Sequence, residues 1–309
     1  MLKKKTQAQI KYPFPFRKNI YADELKTFIL QSIDSYEMIS DKMKENMKKA
    51  SFDKFVSYAF PDADRQRLMQ IASFILWGFV FDDHYQHSPA AEVLQVMQRS
   101  VEILGGGNLR NDDNDFSKKA YNFTQDVLKV AGKDWIYRFA YINKDTFDGI
   151  MKEHWYTGTS EFPQLKVYKS MREHTSAGYV FCAFAEISAN AVLPVALPFH
   201  PAINRLTQLA CLMIGLCNDI FSAEKERNQG DNMNVILVLE HEHSYAAAEA
   251  VQVAIDQHNE LLEEFLAIKN NLPDFGAQKN TVEKYIRGIE YLLEGHLNWF
   301  TDSNNKRYQ

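Results

Sequence analysis

The chain has 309 residues, of which 46% are hydrophobic and 24% are charged. This length is enough to bury a large core, and the low counts of glycine (13) and proline (9) favour long helices. The formal net charge of −5 excludes the basic field that duplex nucleic acid needs, but local positive charge could still bind a compact polyanion with its metal ions.

The cysteines and the N-terminus bear on the compartment. The chain has three cysteines, all in apolar helical sequence, and this odd number argues against a disulfide framework and against a zinc ribbon. The first residues include lysines but no apolar stretch, so we predict no secretory signal and a cytoplasmic protein with reduced thiols. The longest apolar run, 187–199, is broken by Pro194 and Pro198 and is too short to span a membrane. We therefore expect no nucleic-acid partner and no membrane.

The periodicity of apolar residues predicts the fold class. After an extended arm over residues 1–20, apolar residues recur at three- and four-residue steps along almost the whole chain. This pattern predicts an all-α single domain over residues 1–309. Weak helix formers after Arg172 predict a local break inside one helix, where backbone groups would be exposed to a ligand. The predicted helices cover residues 22–50, 62–86, 90–104, 116–131, 134–156, 165–190, 202–228, 243–271 and 277–300.

The first candidate site is the end of the aromatic segment 74-FILWGFVFDDHYQ-86. Asp82 and Asp83 end a strongly apolar helix, so two carboxylates would lie at the end of this helix. Adjacent helical residues point about 100° apart. We therefore assign Asp82 to the shared centre described below and expect Asp83 to hold an arginine.

The second candidate site is the polar stripe in 216-LCNDIFSAEKERNQG-230. Asn218, Ser222 and Glu226 follow one another at four-residue steps, so they line one helix face over two turns. Amide, hydroxyl and carboxylate oxygens are the hard donors that Mg²⁺ prefers, and Lys225 can add positive charge toward a bound anion. The alternative is an amphipathic helix that becomes polar as it reaches solvent.

Two other polar groups could imitate a site. Asp112, Asp113 and Asp115 lie in a loop rich in glycine and asparagine, and we interpret them as a solvated loop. His84 and His87 have ligand-like spacing but lack the surrounding Cys/His set of a zinc site, so we interpret them as surface histidines.

These motifs resemble those of the class I terpene synthases of bacterial type, and the resemblance extends over most of the chain. The segment NDIFSAEKE, which begins at Asn218, is similar to the family's NDxxSxxKE second metal motif. The segment FDDHYQ resembles its aromatic-rich first motif, DDxxD, with Gln86 and His87 where the family usually has a third acidic residue. Arg172 precedes Asn218 by 46 residues, as the family's diphosphate-sensing arginine does.

The resemblance extends to the C-terminus and to the helix break. Arg307 and Tyr308, with Trp299 upstream, are similar to the family's terminal RY pair. Thr175 and Ser176 occupy positions that are often Asp and Gly at the break. The implied fold is the class I terpenoid synthase fold, a helical bundle around a central apolar cavity, with residues 301–309 as a lid.

The resemblance also implies the cofactor and the residue roles. Three Mg²⁺ ions would bridge a diphosphate, with Mn²⁺ as an alternative ion. Asp82 would hold two ions from one wall, and Asn218, Ser222 and Glu226 would hold the third from the other. The catalytic candidates are Asp82, Asp83, Arg172 and Ser176. The diphosphate-binding candidates are Arg172, Asn218, Lys225, Arg307 and Tyr308. The candidates for the cavity wall are Phe52, Phe74, Trp77, Phe79, Phe181 and Trp299.

Several functions stay open at this point. The leading hypothesis is a cyclase that converts farnesyl diphosphate to a sesquiterpene hydrocarbon or alcohol, and the alternative is a diterpene synthase that uses geranylgeranyl diphosphate. A prenyl-chain-elongating transferase is disfavoured because it needs two aspartate-rich motifs. A non-catalytic helical protein that binds an isoprenoid would show no Mg²⁺ dependence. A homodimer is common in the family, but no feature of the sequence argues for one.

Overall fold

The computed structural model describes residues 9–302, and every regular element in that range is helical, as the apolar periodicity predicts. Two short 3₁₀ turns, Leu197–Phe199 and Gly276–Gln278, lie between longer helices. The α-helices of this range are α1 (Ala22–Asp34), α2 (Asp41–Lys49), α3 (Phe52–Ala59), α4 (Arg65–Tyr85), α5 (Ala90–Leu104), α6 (Asp115–Glu153), α7 (Leu165–Thr175), α8 (Gly178–Ser188), α9 (Pro201–Gln229), α10 (Val235–His243), α11 (Ala247–Asn270) and α12 (Lys279–Thr301).

The boundaries differ from prediction in two places. The helix predicted over 22–50 is divided, because Ser40 caps a new helix by accepting a hydrogen bond from the Met43 amide at 3.3 Å. Helices α3 and α10 were not predicted. Each has fewer than ten residues, and an apolar run of that length does not distinguish a helix from other buried structure.

The long helix α6 bends where two separate helices were predicted. It runs from Asp115 to Glu153, but Gly132 inside it has φ 80° and ψ 174°. Glycine adopts this conformation without the steric penalty that other residues incur. The predicted division between 131 and 134 is therefore confirmed as a kink.

The predicted break inside segment 165–190 is confirmed, and it separates α7 from α8. Ala177 has φ 56°, the left-handed conformation that costs a non-glycine residue about 1–2 kcal/mol. The next residue, Gly178, lies so close to α9 that an added Cβ would be 2.6 Å from Cα of Cys211. Tight packing of α8 on α9 thus holds the strained turn in place.

Helix α9 lies at the centre of the bundle and contacts α7, α8, α10, α11 and α12. It begins with Pro201 behind the cap residue His200 and ends at Gly230, whose φ is 74°. By length and composition, α9 is the one described helix that could cross a membrane, but 78% of its apolar window is buried inside the bundle. Its apolar character therefore belongs to the protein core.

The extended N-terminal arm packs against the outside of the bundle. Ile10, Tyr12 and Phe14 are buried, and the Tyr12 hydroxyl lies 2.7 Å from Nε2 of His258 on α11. Farther along, Arg17 forms an ion pair with Asp62 at 2.6 Å. The described part of the arm, residues 9–20, thus packs on the bundle without forming a helix.

Candidate active site

The predicted polar stripe lies on the last turns of α9 and is tied together by a residue from the next loop. Ser222 is buried, and Asn218 and Glu226 are half-buried. The side-chain amide of Asn234 donates to Glu226 at 2.7 Å and lies 3.4 Å from the Ser222 hydroxyl. Its carbonyl oxygen caps α10 by accepting from the Ile236 amide. Asn234 therefore fixes the stripe, and sequence reasoning missed it.

Asp219 is a second missed residue and lies at the buried end of the stripe. Its carboxylate is 0% exposed, accepts from the Val235 amide at 3.1 Å and accepts a short hydrogen bond from Tyr168. It also lies 2.7 Å from Nη2 of Arg172. Burial raises the pKa of Asp219, and Arg172 opposes that shift. The signal was present in the sequence, because Asp219 directly follows Asn218 and points about 100° away from the stripe, toward α7.

Arg172 on α7 contacts both the polar stripe and Asp219. Its Nη2 donates to Oδ1 of Asn218 at 2.8 Å as well as lying beside Asp219. Burial alone would lower the pKa of Arg172, but Asp219 and other anions outweigh it and raise the pKa, so the guanidinium is charged. Its Nε is buried and has no hydrogen-bond partner within residues 9–302, which leaves a donor for an anion. Gly215 provides the space, since a Cβ there would lie 3.2 Å from Cγ of Arg172.

Glu153, the last residue of α6, is a third missed group. It accepts a short hydrogen bond from Thr175, beside the helix break. Burial raises the pKa of Glu153 to about 7, while Arg172 lowers it and the carboxylates of Asp219 and Asp82 raise it. Glu153 therefore lies within electrostatic reach of both predicted motifs. No spacing rule in the sequence connects it with residues 22 positions away.

The first motif lies at the C-terminal end of α4. Asp82 is exposed and Asp83 is half-buried. The charge of Asp82 raises the pKa of Glu153, and Glu153 and Glu226 both raise the pKa of Arg172. A common region for the two motifs and an arginine partner for Asp83 both stay predictions.

The remaining polar candidates are partly described. Ser176 lies at the α7–α8 break, where its hydroxyl donates to the Cys211 carbonyl at 3.2 Å and accepts from the Gly178 amide at 3.2 Å. In this position Ser176 supports the break. Lys225 is half-buried beside Glu226. Arg307 and Tyr308 lie outside the described residues.

The six predicted cavity aromatics fall into two groups. Phe79 lies one turn before Asp82, and its ring is 4.5 Å from Phe52 and 6.1 Å from Trp299. Phe181 joins this group through Phe55, at 5.3 Å. We name these five residues the aromatic wall.

Phe74 and Trp77 do not belong to the aromatic wall. They stack on each other at 5.1 Å, and Phe74 lies 4.6 Å from Phe123 on α6. The indole of Trp77 donates to the Phe116 carbonyl at 3.1 Å. These contacts pack both residues between α4 and α6, and their place in a cavity wall stays a prediction.

The donor set fits a hard divalent ion. Within residues 9–302 there is no cluster of three or more His, Cys, Asp or Glu side chains that could hold a metal. The stripe instead offers one amide, one hydroxyl and one carboxylate oxygen donor, a set suited to Mg²⁺ with water and phosphate oxygens. Burial raises the pKa of Glu226 to about 7, with Asp219 adding to the shift. A nearby cation would favour the ionised form of this carboxylate.

Comparisons with known proteins identify the family. Residues 73–264 match the family model described as "Terpene synthase family 2, C-terminal metal binding". This match includes the first motif, Arg172 and the whole stripe. The chain belongs to the terpene synthase family. It is an enzyme of the lyase class, and metal binding is the property by which the matched region is described.

Relatives and solved structures agree with this assignment. This terpene synthase is 26% identical to a germacrene A synthase of Nostoc punctiforme, over 94% of this chain and 92% of the relative. It is 25% identical to a (+)-T-muurolol synthase of Roseiflexus castenholzii, over 95% of this chain and 91% of the relative. The crystal structure of an α-eudesmol synthase superposes with a TM-score of 0.84 at 18% identity, covering 95% of this chain and 99% of that one. This likeness shows that the chain has the class I fold.

The acidic loop of this terpene synthase is structural, and its predicted solvation is wrong for one residue. The Asp113 side chain is only 4% exposed and forms an ion pair with Arg99 at 2.5 Å. This guanidinium holds the pKa of Asp113 below its usual range. Asp115 accepts from the Glu37 amide at 3.2 Å. These contacts fasten the turn between α5 and α6, and Gly/Asn-rich composition alone did not reveal the arginine partner.

The remaining candidates for other sites are His84 and His87, which the sequence predicts to be surface histidines, and one groove of the bundle. His84 is half-buried with its ring 5.4 Å from Phe116, and His87 is exposed. A groove of about 860 Å³ lies between α1, α4 and α6, and none of the site residues lines it. This groove is therefore separate from the candidate active site.

Proposed function

We propose that this terpene synthase is a Mg²⁺-dependent cyclase that ionises farnesyl diphosphate and releases diphosphate and a cyclic sesquiterpene hydrocarbon or alcohol. The observation that carries the proposal is the position of Arg172. One nitrogen of this buried guanidinium contacts both Asn218 and Asp219, while Nε stays available for an anion. An anion bound there would lie beside the stripe and within electrostatic reach of Glu153.

The residues divide the proposed work as follows. Asp82 on one side, and Asn218, Ser222 and Glu226 on the other, would hold Mg²⁺, with Mn²⁺ as the alternative ion. When bound, the ions supply positive charge that neutralises the departing diphosphate. Arg172 donates hydrogen bonds to the diphosphate oxygens as their charge grows, and the allylic C–O bond breaks with its electron pair going to oxygen. The protein thereby stabilises the leaving group rather than the intact substrate.

The aromatic wall suits the hydrocarbon cation that remains. Phe52, Phe55, Phe79, Phe181 and Trp299 carry no nucleophilic group, and aromatic faces stabilise a nearby cation by about 0.5–2 kcal/mol each. Phe79 lies one helical turn before Asp82, so the aromatic wall lies next to the proposed diphosphate-binding end of the site. We propose that this wall lines the apolar cavity in which the chain cyclises.

The chain length of the substrate is argued from relatives. The Roseiflexus castenholzii and Streptosporangium roseum relatives are named as enzymes that cyclise (2E,6E)-farnesyl diphosphate. We extend that substrate to this chain, with geranylgeranyl diphosphate as the alternative. The test is incubation of the purified protein with Mg²⁺ and the C10, C15 or C20 diphosphate separately. Products are read by gas chromatography–mass spectrometry, and diphosphate release is measured in parallel.

The outcomes separate the hypotheses. We expect cyclic C15 products with release of diphosphate, and loss of both when EDTA removes the metal. Turnover of the C20 diphosphate alone would assign a diterpene synthase. Longer prenyl diphosphates would assign a chain-elongating enzyme. Binding of all three substrates without release of diphosphate would contradict an enzymatic role.

A further inference from the structure

We propose that His296 on α12 is the proton acceptor that ends the cyclisation, so that the principal product is an alkene. This inference rests on the proposed function. His296 is 4% exposed, and Nδ1 is buried without a hydrogen-bond partner among the residues that the structure describes. A buried imidazole nitrogen without a partner is uncommon, because the lost hydration is normally replaced by a protein contact.

His258, which is also buried, differs from His296 in the hydrogen-bond partners of its ring. His258 has Nε2 2.7 Å from the Tyr12 hydroxyl and Nδ1 3.3 Å from Oδ1 of Asn259. Both of its ring nitrogens therefore have partners, and its role is structural. His296 is also buried, but its Nδ1 lacks a hydrogen-bond partner among the residues that the structure describes, so packing alone does not explain why a polar ring occupies this position.

The neighbours of His296 place it against the aromatic wall. Its ring lies 5.8 Å from Phe55 and 6.3 Å from Trp299, both members of that wall. It also lies 4.8 Å from Phe300, which stacks at 5.1 Å on Phe221, the residue before Ser222. His296 therefore lies between the wall below Asp82 and the helix that carries the polar stripe.

The protonation state suits this role. Burial, with smaller contributions from Arg172 and His258, lowers the pKa of His296 to about 3. The ring is therefore neutral at physiological pH, with a nitrogen lone pair available. A C–H bond next to a cationic carbon is a far stronger acid than imidazolium, so even a buried imidazole accepts its proton.

The proposed step transfers one proton from the carbocation to His296. The C–H bond adjacent to the cationic carbon breaks, and its electron pair becomes the second bond of a C=C double bond. The proton passes to a ring nitrogen of His296, which becomes imidazolium. It then leaves to the released diphosphate or to water when product departs. Contacts with Phe55 and Trp299 of the aromatic wall keep the ring oriented and bring no group that would react with the cation.

The test uses His296→Asn and His296→Phe, with His258→Asn as the matched control. All variants are incubated with Mg²⁺ and farnesyl diphosphate that carries deuterium at the carbon from which the parent enzyme removes hydrogen. We expect the parent alkene to lose deuterium. Its share of total product should fall at least fivefold in both His296 variants, with the new alkenes or alcohols retaining the label. His258→Asn should keep the parent profile.

Each outcome decides between the two proposals. If both His296 variants make the parent alkene in the parent proportion, or if the parent makes only an alcohol, His296 is not the proton acceptor, while the proposed function stands. If the parent releases no diphosphate from any isoprenoid diphosphate, the proposed function fails and takes this inference with it. Should His296→Phe fail to fold by circular dichroism, the smaller His296→Asn decides alone.

Discussion

The guanidinium of Arg172 lies 2.7 Å from the buried carboxylate of Asp219 and donates to Oδ1 of Asn218 at 2.8 Å through the same nitrogen. Asn218 is the first residue of the stripe that we propose as a metal site. The arginine proposed to bind diphosphate and the helix proposed to bind metal are therefore in direct contact. A substitution at the arginine should therefore alter metal binding, and a substitution in the stripe should alter diphosphate binding.

Asp219→Asn should impair both folding and catalysis. Asparagine can still accept from Tyr168 and Val235, so the main loss is the negative charge beside Arg172. Breaking a buried ion pair from one side costs about 3–5 kcal/mol. We expect the free energy of unfolding in urea to fall by about that amount, and diphosphate release per folded molecule to fall more than tenfold.

Glu186→Gln is the control for Asp219→Asn. Glu186 pairs with Arg138 at 2.5 Å and is also buried, but it lies outside the proposed site. It should lower stability and leave the rate per folded molecule near that of the parent. Equal effects of the two substitutions on the rate would show that Asp219 matters only for folding.

Asn234→Ser should weaken metal dependence without removing the helix cap. Serine is a good N-cap residue and can still accept from the Ile236 amide, but it is too short to bond Glu226. We expect the Mg²⁺ concentration for half-maximal diphosphate release to rise several-fold. Asn234→Ala should show the same rise and also lose about 1 kcal/mol of stability. An unchanged Mg²⁺ titration in Asn234→Ser would mean that the bridge to Glu226 has no role.

Two glycines that face neighbouring helices should respond differently to alanine. At Gly215 the new Cβ would press on Cγ of Arg172 at 3.2 Å, which is part of a flexible side chain. Gly215→Ala should therefore raise KM for the substrate several-fold with little loss of stability. At Gly178 the Cβ would meet the Cys211 backbone at 2.6 Å. Overpacking costs about 1–3 kcal/mol, so Gly178→Ala should lower the melting temperature, and the reverse pattern would contradict the proposed geometry.

His258 should make the fold sensitive to acid. Burial lowers the pKa of His258 from its usual 6.5 to about 4. The unfolded chain therefore binds more protons between pH 4 and pH 6.5, and stability is lost as pH falls through this window. At 1.36 kcal/mol per unit, this shift contributes on the order of 3 kcal/mol. His258→Asn should be less stable at pH 7, because Tyr12 loses its partner, but its unfolding free energy should fall less between pH 6.5 and pH 4. A slope equal to that of the parent would exclude His258 as the titrating group.

The sequence alone predicted the features that depend on residues close together in the chain. Helical periodicity identified α5 to the residue, and the run of weak helix formers located the break at Ala177. The four-residue spacing of the stripe placed Asn218, Ser222 and Glu226 on one face. These features depend on neighbours within one or two turns.

The contacts that complete the site depend on tertiary packing and were not predictable from spacing. Glu153 meets Thr175 across 22 residues, and Arg172 meets Asp219 across the packing of α7 on α9. Trp77 has the same helical context as Phe79 but faces α6, because α4 is buried on more than one side. An aromatic helix that is buried on several sides gives no signal for which ring faces a ligand.

The most direct test of the account is diphosphate release from farnesyl diphosphate by the parent and by the double variant Asn218→Ala plus Glu226→Ala, each titrated with Mg²⁺. The account predicts Mg²⁺-dependent release by the parent. It predicts at least a hundredfold lower release by the double variant, whose circular dichroism spectrum should still show a folded helical protein. Full release by a folded double variant would contradict the claim that the stripe on α9 holds the metal that drives ionisation.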